Sequence, residues 1–111
     1  MKTIIFEKNK VIRNTIKLII DDDKVLFTYD FDHLVKMLKQ KKIDTLIINS
    51  NYNGNAFSED SALQVSILKK AFPKIRILVY SAFHQLRRNF KEAGADNFYV
   101  MGDDAFCLSS L

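Results

Sequence analysis

With 111 residues, 48% of them hydrophobic, and only one Pro and three Gly, the chain is read as one domain (1–111) with a buried core, not a disordered or collagen-like chain. The one cysteine, Cys107, excludes a disulfide framework within the chain, and no apolar run approaches a membrane span, so a soluble cytoplasmic protein without membrane contacts is expected. The net charge of +4 raises the question of nucleic acid, which the placement of the cations answers below.

Thr3-Ile4-Ile5-Phe6 reads as a first strand, and residues 9–20 place Ile12, Ile16, Ile19 and Ile20 at helical spacing. Asp21-Asp22-Asp23 is a charged turn without the alternate carboxylates of a calcium loop. Lys24 to Tyr29 is a second strand, followed by Asp30 as N-cap of a helix holding Phe31, Leu34, Val35 and Leu38. Ile43 to Ile48 is almost wholly apolar, as a parallel strand buried on both faces should be. Asn53-Gly54 marks a tight turn, and Ser58 can cap a third helix with Ala62, Val65, Leu68 and Phe72 inward, ending before Pro73. Ile75 to Tyr80 is a fourth strand. Leu86, Phe90 and Ala93 give a helix face that stops at Gly94, and Asn97 to Met101 is a fifth strand. Asp103 can cap a last, short helix with Phe106, Cys107 and Leu111 inward.

Strands alternating with helices through short links predict right-handed crossovers and a parallel sheet. The cations sit mostly near helix ends: Lys36, Lys39, Lys41 and Lys42 on one, Lys69 and Lys70 on another, Arg87, Arg88 and Lys91 on a third. There they complement the helix dipole and wet the outer faces. With no helix-turn-helix and no basic-aromatic RNA signature, direct nucleic-acid binding by this domain is not expected.

Three segments carry a resemblance. Ile4-Ile5-Phe6-Glu7-Lys8 resembles the first strand and acidic turn of the response-regulator receiver domains, and Leu46-Ile47-Ile48-Asn49 their third strand, which ends in the acceptor Asp. Ala93-Gly94-Ala95-Asp96-Asn97-Phe98-Tyr99-Val100-Met101 resembles their Ala-Gly-Ala-Asp-Gly-Tyr-apolar-apolar-Lys segment and is the most specific of the three. Ile77-Leu78-Val79-Tyr80-Ser81 adds a strand ending in a hydroxyl residue. The resemblance covers almost the whole chain. It implies a flavodoxin-like, doubly wound five-stranded parallel sheet of order 2-1-3-4-5, here with a shortened last helix.

The resemblance also implies a degenerate, pseudo-receiver site. Glu7 keeps one acidic position, Lys8 replaces the second carboxylate, Asn49 replaces the acceptor Asp, Ser81 keeps the hydroxyl and Met101 replaces the Lys. Phe98 occupies the aromatic switch position, and the loop after Asn49 is longer than usual and lacks the customary Pro. An amide is not the nucleophile that attacks a phosphoryl donor, and it offers no charge to Mg²⁺. A Lys in place of a carboxylate reverses the sign of an interaction worth about 4 kcal/mol at ~4 Å and an effective dielectric of ~20. Aspartyl phosphorylation is therefore not expected, and no metal or cofactor is.

Plainer roles exist for the same residues. Asn49 can bond a neighbouring loop, Glu7 and Lys8 can be a solvated or paired charge at a strand end, Ser81 can cap the next helix, and Phe98 and Met101 can be apolar filling. His33 and His84 have no ligand spacing around them, and Cys107 is expected in the core.

The function expected is a phosphorylation-independent receiver module in two-component-type signal transduction. It would act through a protein partner or as a homodimer, as a free-standing module or as the front part of a DNA-binding transcriptional regulator. By the resemblance, the interface is residues 83–101, with His84, Arg87, Arg88 and Lys91 as its polar rim. The competing class is a small α/β enzyme or a nucleotide- or flavin-binding domain on the same fold. The sequence offers that class no Gly-rich phosphate loop and no nucleophile–base pair.

Overall fold

A computed structural model describes residues 2–19, 25–40, 42–50, 59–81 and 83–100. The elements run β1 (Thr3–Phe6), α1 (Lys10–Ile19), β2 (Val25–Thr28), α2 (Phe31–Gln40), β3 (Thr45–Asn49), α3 (Glu59–Ala71), β4 (Arg76–Ser81), a 3₁₀ turn (His84–Leu86), α4 (Arg87–Ala93) and β5 (Asn97–Val100). The five strands form one sheet of order β2-β1-β3-β4-β5, every pairing parallel. The predicted doubly wound architecture and strand order are those observed.

The alternation along each strand sorts the sheet into two cores. Ile4, Phe6, Leu46, Ile48, Ile77, Val79, Phe98 and Val100 face α2, α3 and α4, packing with Leu34, Leu38, Val65, Leu68 and Phe90. Ile5, Ile47, Leu78 and Tyr80 face the other way, onto Ile16 of α1. All five residues of β3 are buried, as expected for the central strand of a sheet covered on both sides.

Local chemistry sets the element ends. Asn9 caps α1: its Oδ1 accepts from the backbone N–H of Val11 (2.9 Å) and Ile12 (3.2 Å). Asp30 caps α2 as predicted, its Oδ1 accepting from Asp32 N at 3.1 Å. Gly94 ends α4 with φ +110°, a left-handed conformation that only glycine adopts without strain. A Cβ there would lie 3.1 Å from Lys69 Cγ.

Several boundaries differ from the sequence reading. β2 is shorter than Lys24–Tyr29, while β3 and β4 run to Asn49 and Ser81, one residue beyond the apolar runs, because parallel pairing continues through polar positions. Met37, one turn after Leu34, joins the α2 core and was not anticipated, whereas Ala62 and Phe72 are only partly buried. The charged turn at Asp21–Asp23, the Asn53-Gly54 turn, the Ser58 cap, Met101, Cys107 and the expected last helix lie outside the described residues. No helix among the described residues is long and apolar enough to cross a membrane.

Candidate functional site

The carboxyl ends of β1, β3 and β4 lie side by side, Phe6 in register with Ile48 and Asn49 with Tyr80. The chain leaves β1 through α1 on one face, whereas the crossovers into β3 and beyond run on the opposite face. The gap between β1 and β3 is thus the topological switch point, where doubly wound sheets keep their ligand sites. Glu7, Asn49 and Tyr80 stand here. Each follows by two residues an apolar member of the α1-side core (Ile5, Ile47, Leu78), so all three side chains fall on one face.

They bond to one another. Glu7 Oε1 accepts from Asn49 Nδ2 at 2.7 Å and from the Tyr80 hydroxyl at 2.7 Å. Glu7 Oε2 accepts from Asn9 N at 3.2 Å, beside the start of α1, where the helix dipole favours negative charge. Glu7 is 2% exposed, Tyr80 3% and Asn49 7%. Burial, together with the adjacent Glu7 carboxylate, pushes the Tyr80 phenol far above its ordinary range, so it stays a donor.

Glu7 is therefore not the solvated strand-end charge considered from sequence. Burying a carboxylate is costly unless it is hydrogen-bonded, and here the two strand partners and a backbone N–H supply the bonds. Lys8, by contrast, is exposed and takes no part in the cluster. Its carbonyl, with that of Glu7, accepts from Arg13 Nη1 at 2.8 Å each, and the Arg13 guanidinium stacks 4.7 Å from the Tyr29 ring centroid.

A second hydroxyl pair adjoins the first cluster. Ser50 Oγ donates to Ser81 Oγ at 2.7 Å, both buried, and Ser50 N donates to Tyr80 O at 2.9 Å. Ser81 Oγ also accepts from Phe83 N at 3.0 Å. That bond tightens the turn into the 3₁₀ segment rather than capping it, since Phe83 is the cap residue and no side-chain bond closes it. Met101 is outside the described residues.

This donor set does not suit Mg²⁺. Among the described residues it holds one carboxylate, whose oxygens already accept three protein donors, and Asn49 directs its NH₂ toward it. Among the described residues no cluster of His, Cys, Asp or Glu could hold a metal ion.

The remaining expected residues lie one strand away. Phe98 is buried, its ring 5.8 Å from that of Phe90 and 5.3 Å from the Arg87 guanidinium. Arg87 Nη1 also donates to Phe98 O at 3.0 Å. Arg88 pairs with Glu92 at 3.0 Å, Lys91 donates to Asp96 O at 3.1 Å, and His84 is exposed. Asp96, in the Ala-Gly-Ala-Asp segment, serves as a tie: its Oδ2 accepts from Ile77 N at 2.7 Å and Lys69 Nζ at 2.9 Å. Partial burial works against its ionisation, but the Ile77 N–H and the Lys69 and Arg76 charges outweigh it and hold the carboxyl below its usual range.

The sequence reading missed Tyr80, Ser50 and Asn9. Tyr80 could have been found from the strand order, which sets the fourth strand beside the third and brings a phenol to the end of Asn49's row.

The sequence matches no protein-family model and no protein of curated function. Solved structures do match. A response regulator from Thermotoga maritima superimposes with a TM-score of 0.75 at 18% identity, over 93% of this chain and 86% of that one. The N-terminal signal receiver domain of a two-component response regulator from Bacteroides fragilis gives 0.75 at 18%, over 90% and 83%. A LuxR family DNA-binding response regulator from Silicibacter pomeroyi gives 0.70 at 20%, over 94% and 82%. The fold is that of response-regulator receiver domains.

Proposed function

We propose that this chain is a receiver-type signalling module that works without aspartyl phosphorylation, through contacts with a protein partner. One observation carries the reading: at the position of the acceptor carboxylate, the Asn49 amide donates at 2.7 Å to the carboxylate that would otherwise help hold Mg²⁺. Tyr80 takes the same oxygen from the other side. The groups that would receive a phosphoryl group and a metal instead satisfy one another, so the switch point is a structural joint between β1, β3 and β4.

The partner surface in this reading is the outer face of α4. Arg87, Arg88 and Lys91 are exposed there with Glu92 as the one acid of the helix. Two copies meeting through this face would set like charges against each other, which disfavours pairing. An acidic protein surface is the better complement. The likeness to DNA-binding regulators supports a place as the regulatory part of a transcriptional regulator, with this domain taking the signal rather than touching DNA. The protein is accordingly read as a cytoplasmic, non-enzymatic module.

The test is incubation with acetyl phosphate and Mg²⁺ followed by intact-mass spectrometry. An unchanged mass is expected. A hydroxylamine-labile phosphoryl adduct on any Asp overturns the proposal.

A further inference from the structure

The two ends of the sheet differ. At the end opposite Glu7, Asn49 and Tyr80, where β3 and β4 begin at Thr45 and Arg76, a cleft of about 460 Å³ opens between the last turns of α2 and α3. Leu38, Ile43, Phe72 and Ile75 supply its apolar walls, and Lys42, Asp44 and Lys74 its charged groups. Phe72 packs against the core but stays only partly buried, so some of its apolar surface is left to the cleft. That volume lies within the ~300–1,000 Å³ of small-molecule sites, which combine apolar walls with a few polar groups.

The charge around the cleft is mostly of one sign. Lys42 and Lys74 are exposed, and neither has a hydrogen-bond or ion-pair partner among the described residues. The Asp44 carboxylate is engaged, its Oδ2 accepting from Lys2 N at 3.0 Å. The Asp44 backbone bonds to Lys2 on one side and to Arg76 on the other, which brings two further exposed cations to the same place. The C-terminal ends of α2 and α3 add about half a negative charge each. Four cations against one acid and two helix ends leave a surplus of about two positive charges.

We propose that this cleft binds a small amphipathic anion, a monocarboxylate with its alkyl chain along Leu38, Ile43, Phe72 and Ile75 and its head met by Lys42 and Lys74. An uncharged ligand would leave the two ammonium groups unused, and a cationic one would meet a surplus of its own sign. The cleft lies at the other end of the sheet from Asn49, so the proposal does not depend on the state of the phosphorylation site. At the binding energy per atom usual for small ligands, octanoate should have a dissociation constant on the order of 5 mM.

Titration of the ¹⁵N-labelled chain with sodium octanoate and, separately, with octylammonium chloride tests it. Octanoate is expected to shift the amides of Leu38, Ile43, Phe72 and Ile75 along one saturating curve, with octylammonium at least about fivefold weaker at the same residues. Lys42→Glu/Lys74→Glu is expected to weaken octanoate about tenfold and to reverse the preference between the two head groups. Lys10→Glu/Lys17→Glu makes the same change of net charge at two exposed positions of α1, across the sheet, and should leave the octanoate curve unchanged. No saturable shift at the cleft overturns the proposal, as does equal affinity for the two head groups. A loss of octanoate binding in Lys10→Glu/Lys17→Glu as large as in the cleft pair overturns it too, because the charge would then act through the whole molecule and not at the cleft.

Discussion

Replacing Asn49 by Asp exchanges one NH₂ for an oxygen, yet the cluster makes it a severe change. The new carboxylate oxygen would stand where the amide nitrogen now lies, 2.7 Å from Glu7 Oε1. Two unit charges at that separation repel by about 6 kcal/mol at an effective dielectric of ~20. Keeping one proton on the pair costs less: holding a carboxyl of ordinary pKa near 4 protonated at pH 7 costs about 4 kcal/mol. The proton therefore stays, and it rebuilds a hydrogen bond between the two groups. Asn49→Asp is expected to lose up to about 4 kcal/mol at pH 7, a large part of the stability of a small domain.

The pH dependence carries the diagnosis. In the variant the folded pair binds a proton that the unfolded chain has released, so stability falls as pH rises from about 4 toward the raised folded pKa. The deficit against the parent should shrink by about 1.4 kcal/mol per pH unit on acidification, to about 1 kcal/mol at pH 5. Urea unfolding of parent and variant at pH 5 and pH 7 measures it. A variant as stable as the parent at pH 7, or a deficit equal at both pH values, would refute the Asn49–Glu7 contact.

Tyr80→Phe removes the second donor to Glu7 and should cost about 2 kcal/mol in urea unfolding, the range for a buried bond to a charged acceptor. In the parent, alkaline difference spectroscopy should show one of the four tyrosines resisting ionisation until the fold is lost. Because the Tyr80 pKa is raised in the fold, stability should fall above pH ~10 by about 1.4 kcal/mol per unit from this group. Asp96 acts in the opposite sense: its folded pKa is lowered, so its contribution is present above the ordinary carboxyl range near pH ~4 and is lost as pH falls through the folded value. Asp96→Asn should cost about 1 kcal/mol at pH 7, since the Lys69 pair is partly exposed, with the gap to the parent closing toward pH 3 in acid unfolding. Asn9→Ala should cost about 1 kcal/mol through the lost α1 cap, read as a lower urea midpoint at unchanged slope.

The fold was readable because its signals are local and repeat. Alternating apolar runs, the Asp30 cap and the Gly94 stop each name an element, and the parallel architecture follows from their order. The site was only partly readable. Asn49 and Glu7 were singled out, but sequence could not show that they touch across 42 positions, and it left Glu7 open between an acidic site position and a solvated or paired charge at a strand end. Lys8 beside it suggested a pairing, but Lys8 is exposed while Glu7 is buried against Asn49 and Tyr80. Tyr80 was named only as the end of the fourth strand, since its polar end matters only when three strands place it beside two other polar groups. Asn9 escaped notice because the apolar period, not the cap, was used to start α1.

The central claim is that the switch point is closed by its own side chains to phosphoryl groups and metal alike. Amide NMR spectra of the ¹⁵N-labelled chain, with and without Mg²⁺ and beryllofluoride, test it most directly. The account predicts no change at Glu7, at the Asn49 side-chain amide, or at Ser50 and Ser81. Shifts centred on those residues and spreading to Arg87 and Phe98 would mean that the site still binds a phosphoryl mimic and signals it onward.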